Sequence, residues 1–528
     1  MTTPVPDHLI LDSSVSLHLC SESKESELVK KLHAAQEQGV RIWFYVGEYS
    51  TLVGDLNRNL ASALSSKDAS LVVPRQRLEE MLPGMQWLSA LTGDIPASDD
   101  PDPIATSLAH AADRLAGSTL VLTYDERRAK KGVPFALAES FDIPHSAGPV
   151  PFIDLGAQQD RIRGQIEEGL HRVLHHGRYV MGEEIAELES QLASISGAAH
   201  CICVSSGTDA LLAALMAIGI KPGDEVITSP FTFFATAETI ALLGGIPVYV
   251  DIDPETFNLD PGRIEAAVGP RTRAIMPVSL YGQCAEMDDI NAIAQRHSLV
   301  VIEDAAQSFG ARFHGRSSCA LSELACTSFF PAKPLGAYGD GGACFTQDAA
   351  TADRLRQIRD HGQQGRYHHT ALGINGRLDT IQAAILSVKL TIFEGEIAAR
   401  QCVADRYAML LADLAAAGQI TLPVLRPHNT SAWAQYTIRV PDRDQIQQYL
   451  AEQGIPSAVH YPTPLYDQPA LAQSIQDCPE SDRAAQEVLS LPMHPYLSDS
   501  DQDRVVEALY EAFVNPKDGL SRRGAGGV

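Results

Sequence analysis

Between residues 198 and 311 one pattern recurs: a short β-rich apolar run ends in small or polar residues, and a helical stretch follows. The instances are AAHCICVSSGTDALLAALMAIG, DEVITSPFTFFATAETIALLGG, IPVYVDID, RAIMPVSLYGQ and LVVIEDAAQSFGA. Such alternation predicts an α/β fold with a mostly parallel sheet covered by helices on both faces. The chain of 528 residues is long enough for two to four compact units. Its clearest seam is HSAGPVPF, whose two prolines and glycine lie between a pair of separately complete α/β patterns. We therefore expect a first domain over 1–145, a linker over 146–151, a large domain over 152–400, a smaller C-terminal α/β domain over 401–515 and a tail over 516–528.

Acidic residues outnumber basic ones 66 to 41, a formal charge of −25, which repels polyanions and disfavours bulk nucleic-acid binding. No apolar run is long enough to span a bilayer, and MTTPVPDHLILDSS lacks the basic segment of a signal peptide. Nine scattered cysteines offer no disulfide framework, so a reducing cytoplasmic setting is expected. Cys201 and Cys203 lie in a strand-like stretch and read as small buried hydrophobes.

Before the seam, HLILDSS, RIWFYVGE and STLVLTYDE each place an acid, Asp12, Glu48 or Asp125, at or just past the end of an apolar run. Ligands gather beyond the carboxyl ends of parallel strands, and clustered carboxylates there suit Mg²⁺ or Mn²⁺. Ordinary strand-end and helix-cap roles would use the same residues. The region resembles the PIN-like domain, a small nuclease fold. That resemblance implies a metal-binding quartet of Asp12, Glu48, Asp102 and Asp125, with Asp99 and Asp100 as rivals for the third place, and RNA as the one nucleic-acid partner to consider.

After the seam, three segments carry chemistry. In SSGTDALLAALMA, a small-residue turn opens a helix, and free N–H groups at Ser206, Gly207 and Thr208 suit an anion such as a phosphate. In VVIEDAAQS, Asp304 ends an apolar strand, where a buried carboxylate needs a cationic partner or several hydrogen bonds. A protonated pyridine nitrogen is such a partner. In SFFPAKPLGAYGDGG, Lys333 stands between apolar residues and glycines, and a desolvated lysine forms imines with aldehydes. A phosphate cradle, a pyridinium partner and an imine lysine are together what pyridoxal 5′-phosphate (PLP) requires of a protein.

Residues 150 to about 513 resemble the DegT/DnrJ/EryC1/StrS family of fold-type I, PLP-dependent sugar aminotransferases, on VSSGTDAL, IEDAAQSFGA, SFFPAKPLGAYGDGG and GINGRLDTIQAAIL. The resemblance implies that Lys333 carries the cofactor and moves the proton, and that Asp304 pairs with the ring nitrogen. It implies that Gln307 contacts the ring's hydroxyl side, that Phe233 stacks on its face, and that Gly207, Thr208 and Ser328 bind the phosphate. Asn375 would reach the cofactor of a neighbouring subunit, so a homodimer with shared sites is expected. Arg377 would grip a sugar carboxylate, as a guanidinium can do bidentately. His460 and Tyr461 match a substrate-contacting stretch, and RYHHT at 366–370 would line the mouth.

The nearest subgroup acts on UDP-2-acetamido-2-deoxy-ribo-hex-3-uluronate, which implies a UDP-linked keto sugar as acceptor, L-glutamate as donor and a product for surface polysaccharide. Competing readings are a transaminase for a 4-keto deoxysugar, a metal-dependent nuclease carrying a metabolic partner domain, and a first region that only mediates assembly.

Overall fold

The computed structural model describes residues 8–11, 41–45, 86–88, 119–123, 135–137, 150–471 and 477–514. The chain divides into two compact units, Met1–Gly148 and Pro149–Val528.

In the first unit, β1 (His8–Leu11), β2 (Arg41–Tyr45), β3 (Gln86–Leu88), β4 (Thr119–Thr123) and β5 (Phe135–Leu137) form one sheet. Its order is β3-β2-β1-β4-β5, and every pairing is parallel. Three of these strands are the apolar runs that precede the acids. Asp12, Glu48, Asp99, Asp100, Asp102 and Asp125 lie outside the described residues.

The second unit is built on a seven-stranded sheet. Its strands are β6 (His200–Val204), β7 (Glu225–Thr228), β8 (Ile246–Tyr249), β9 (Thr272–Met276), β10 (Val300–Asp304), β13 (Leu324–Ser328) and β14 (Gly342–Thr346). Two short strands, β11 (Arg312–Phe313) and β12 (Arg316–Ser317), form a separate small sheet with β15 (Asn429–Thr430), in which β11 is central. The large sheet runs in the order β6-β14-β13-β10-β9-β7-β8. Only β14 opposes its neighbours, β13 and β6, so the carboxyl ends of the other six strands share one edge.

Helices α1 (Leu155–His176), α2 (Gly207–Ile218) and α3 (Ala235–Leu242) accompany this sheet. One face is sealed by Ile202, Val204, Leu211, Leu215, Val226, Met276 and Ile302. Burying each such side chain contributes about 1.5–3 kcal/mol. Cys201 and Cys203 point to the other face, among Leu188, Phe309 and Phe345.

The C-terminal lobe pairs β16 (Tyr436–Arg439) with β17 (Val488–Leu491) in an antiparallel ribbon. Its core gathers Tyr407, Trp433, Tyr436, Leu450, Leu491 and Leu509, and Val150 joins it. The expected boundary at residue 400 falls inside a 31-residue helix, α4 (Thr380–Leu410). Ala383, Leu386 and Phe393 of α4 pack with the large sheet, whereas Val403, Ala404 and Tyr407 pack in the C-terminal core.

Buried charges on α4 cross-link these lobes. Gln158 Nε2 of α1 donates to both Glu396 oxygens at 2.9 and 2.8 Å, and the Tyr496 hydroxyl donates to Glu396 as well. Arg400 Nη1 donates to the carbonyls of Trp433 and Met493 at 3.0 and 3.2 Å. Among the described residues, no helix is long and apolar enough to cross a membrane.

Candidate functional site

The shared carboxyl edge of the sheet collects several of the candidate side chains, as expected for an open α/β sheet. At the end of β6, Ser206 caps α2, its hydroxyl accepting from Asp209 N–H at 3.0 Å. The first N–H groups of a helix have no intrahelical acceptor, so those of Gly207 and Thr208 are the donors this turn offers. The turn packs closely on its neighbours. A Cβ on Gly207 would stand 2.6 Å from Ser328 Cβ, and one on Gly342 would stand 2.4 Å from the Ser206 carbonyl oxygen. Ser328 ends β13 beside it, its hydroxyl accepting from Phe330 N–H at 3.2 Å.

Asp304 ends β10 and is buried. Thr236 Oγ1 donates to its Oδ2 at 2.8 Å, and Ala306 N–H donates to Oδ1 at 3.2 Å. Burial pushes the carboxyl above its ordinary range; the two donors and the charge of Lys333 pull the other way without prevailing. Lys333 sits in the tight turn after β13, where its N–H bonds the Phe330 carbonyl at 2.9 Å. Desolvation pulls its amine below the usual lysine value, opposed by Asp304. A carboxylate short of positive charge thus faces an amine disposed to give up its proton.

Gln307, one turn after Asp304, is buried. Its Oε1 accepts from Tyr281 N–H at 2.7 Å, and its Nε2 donates to Tyr461 Oη at 3.1 Å. The second N–H of that amide is what remains for a ligand. Phe233 is 56% exposed, so it is not a core aromatic, and its ring centroid lies 6.1 Å from that of Tyr461. His460 Nδ1 lies 2.9 Å from Ser490 Oγ, itself 2.9 Å from Thr437 Oγ1 on the facing strand. Burial first, and Lys333 second, pull the His460 imidazole down to about 4, so it is neutral near pH 7.

Asn375 and Arg377 lie on a strand-like segment beside the cradle. Ser205 N–H donates to the Gly376 carbonyl at 2.9 Å, and Val204 bridges Arg377. Asn375 is exposed in the single chain. Arg377 Nη1 is engaged by Asp360 Oδ1 at 2.9 Å, a pairing that the residue pattern does not signal. One contact leaves most of the guanidinium's five donors free.

The structure thus brings Phe233, Asp304, Gln307, Lys333, His460 and Tyr461 together, with Ser206, Gly207, Thr208 and Ser328 beside Asn375 and Arg377. Sequence reasoning missed Thr236, Tyr281 and Ser490. Thr236 was within reach: it lies three residues after Phe233 in a segment already singled out. The other two act through folding, across long stretches of chain. Among the described residues no group of three or more His, Cys, Asp or Glu side chains could hold a metal ion.

The fit to pyridoxal phosphate is tested by the cradle and by Asp304. The helix-start donors lie where Gly207 leaves no room for a side chain, and a buried carboxyl that burial pushes above its ordinary range stands ready for a cationic ring nitrogen. These residues fit the group. Substituting Gly207 by alanine should weaken cofactor binding by about tenfold or more, because the added methyl must displace Ser328 or the helix start; titration of the apoprotein with the cofactor measures this.

Comparison with known proteins agrees with this geometry. Residues 160–510 match the model of the DegT/DnrJ/EryC1/StrS aminotransferase family. A Pseudomonas aeruginosa protein named UDP-2-acetamido-2-deoxy-3-oxo-D-glucuronate aminotransferase is 57% identical over 348 residues, 66% of this chain and 96% of its own. A solved DegT/DnrJ/EryC1/StrS aminotransferase from Brucella abortus is 44% identical, with a TM-score of 0.66 over 68% of this chain and 98% of its own. Bacillus subtilis NtdA, solved with bound cofactor PMP, is 32% identical, with a TM-score of 0.66 over 71% of this chain and 87% of its own. With that match across about two thirds of its length, and with the cradle, buried aspartate and desolvated lysine in place, this chain belongs to the DegT/DnrJ/EryC1/StrS aminotransferase family and is a PLP-dependent transaminase.

Proposed function

We propose that the chain transfers an amino group from L-glutamate to C3 of UDP-2-acetamido-2-deoxy-3-keto-glucuronate. L-Glutamate leaves as 2-oxoglutarate in the first half-reaction, and the keto sugar takes the amino group in the second. The reading rests on the family, on the 57% identity to the P. aeruginosa protein of that name, and above all on Arg377, a guanidinium beside the cradle that matches the carboxylate of a uronic acid.

Bound pyridoxal phosphate supplies an electron sink. Gly207, Thr208 and Ser328 hold its phosphate, with Ser206 setting the turn. Asp304 keeps a proton on the ring nitrogen, and the spare Gln307 N–H meets the ring hydroxyl. Phe233 covers a ring face. Lys333 Nζ takes a proton from the amino carbon and returns one to the sugar carbon, a task suited to an amine of lowered pKa. His460 and Tyr461 meet the sugar, and the loop carrying Arg366 and His369 borders the mouth.

Asn375 is exposed, as are Tyr179, Val180, Phe330, Tyr367 and Leu372. A second copy of the chain covering that surface would bring Asn375 to its neighbour's cofactor, which makes a homodimer the working assembly. The setting is the cytoplasm. For the first unit, the parallel five-stranded sheet supports the PIN-like reading, with Mg²⁺ or Mn²⁺ as the metal to test.

The test follows the absorbance of the holoenzyme on adding L-glutamate, then the keto sugar. Arg377→Met should raise KM for the uronate sugar by ~10–100-fold, the scale of a lost charged hydrogen bond, and leave the glutamate half-reaction within about threefold. If a neutral 4-keto sugar turns over better than the uronate in the wild type, the substrate is of that other kind.

A further inference from the structure

Tyr281, in RAIMPVSLYGQ, is given no functional role above, yet it touches two of the groups in the site. It lies in the turn Leu280–Gly282 after β9, with φ 57° and ψ 1°. A bulky residue holds this left-handed conformation only where its surroundings impose it. Segment 431–434 packs closely on this turn: a Cβ on the next residue, Gly282 (φ 112°), would meet Trp433 N at 2.5 Å. The strained backbone aims the Tyr281 N–H at Gln307 Oε1, 2.7 Å away. The Tyr281 hydroxyl donates to the backbone carbonyl of His460. Gln307 Nε2 donates to Tyr461 Oη at 3.1 Å and so completes a ring of three hydrogen bonds.

The ring has a fixed polarity. A backbone N–H only donates, so the Gln307 amide oxygen must face Tyr281 and its nitrogen must face Tyr461. Tyr461 Oη is therefore an acceptor in that bond, and its own proton is directed elsewhere. Burial, with the charge of Asp304, pushes the Tyr461 phenol up, so it stays protonated.

We propose that Tyr281 is a positioning residue that sets the place and hydrogen-bond polarity of Tyr461, so that the Tyr461 hydroxyl donates to an oxygen of the sugar acceptor. The inference rests on the transamination reading above. It divides the two half-reactions: the amino acid donor has no sugar oxygen for Tyr461 to meet, whereas the sugar half-reaction depends on the ring.

The experiment is single-turnover spectroscopy of each half-reaction with the wild type, Tyr281→Phe, Tyr461→Phe and the double variant. Tyr281→Phe keeps the aromatic ring and removes only the hydroxyl that holds the His460 carbonyl. It should react with L-glutamate within about threefold of the wild type and with the keto sugar about tenfold more slowly, the scale of one lost hydrogen bond. Tyr461→Phe should slow the sugar half-reaction more, and the double variant should be no slower than Tyr461→Phe alone, since Tyr281 acts through Tyr461. Equal slowing of both half-reactions by Tyr281→Phe, or multiplying losses in the double variant, would overturn the proposal while the transamination reading stands. A wild type that ignores L-glutamate and keto sugar alike would overturn both.

Discussion

Replacing Lys333 with alanine leaves a folded protein that binds pyridoxal phosphate yet loses ~10²–10⁴-fold in turnover, the contribution of a positioned group that moves a proton. The expectation follows from where the amine stands. Desolvation lowers its pKa against the pull of Asp304, so the fraction able to accept a proton near neutral pH exceeds that of an exposed lysine. Among the described residues of the site, the other basic group beside it, His460, is tied to Ser490 Oγ at 2.9 Å and does not replace it. The visible spectrum and its response to L-glutamate give the readout: the alanine variant should show neither the wild-type band nor its shift. Retention of a tenth or more of wild-type turnover would remove Lys333 from the centre of the reaction.

Asp304→Asn should divide stability from activity. Burial raises the folded-state pKa of Asp304 above its ordinary value. A carboxyl shifted in that direction contributes stability that is complete below its ordinary pKa and lost as pH rises through the folded value. Near neutral pH the ionised carboxylate is therefore a cost to the cofactor-free protein. Asparagine keeps the shape and removes the charge, so cofactor-free Asp304→Asn should melt at or a few degrees above the wild type. Added pyridoxal phosphate should then stabilise the wild type more than the variant, because only the carboxylate rewards a protonated ring nitrogen. Turnover should fall by at least ~10²–10³-fold, as when a preorganised electrostatic partner is removed. Thermal melts with and without cofactor check both signs; a variant that melts lower without cofactor and gains as much from it would refute this role for Asp304.

The features of the site legible in the sequence are those written locally. Ser206, Gly207 and Thr208 follow a strand and open a helix within a few residues, and Asp304 and Lys333 sit where short apolar runs end. The strand order was not legible, because β6 lies beside β14 rather than β7, a choice made by packing rather than by either strand. The Tyr281 contacts were hidden for a similar reason: Gln307 and Tyr461 are 154 residues apart, and Tyr281 and His460 are 179 apart. Arg377 and Asp360 are close in sequence, but nothing in the residue pattern distinguishes their pairing from a free arginine. The continuity of α4 through residue 400 was not legible either: its first half packs with the large sheet and its second half in the C-terminal core, and a helix that changes partners along its length shows no single stripe.

That helix has a consequence for how the second unit comes apart. At about 1.5 Å per residue, α4 is roughly 46 Å long, and its buried Glu396 and Arg400 are hydrogen-bonded by groups from both ends of the unit. Melting the C-terminal core would strip Arg400 of the Trp433 and Met493 carbonyls. Loosening α1 would take the Gln158 amide from Glu396 and leave the Tyr496 hydroxyl as its donor. Opening either region thus breaks hydrogen bonds to a charge on the shared helix, which couples the unfolding of the two lobes.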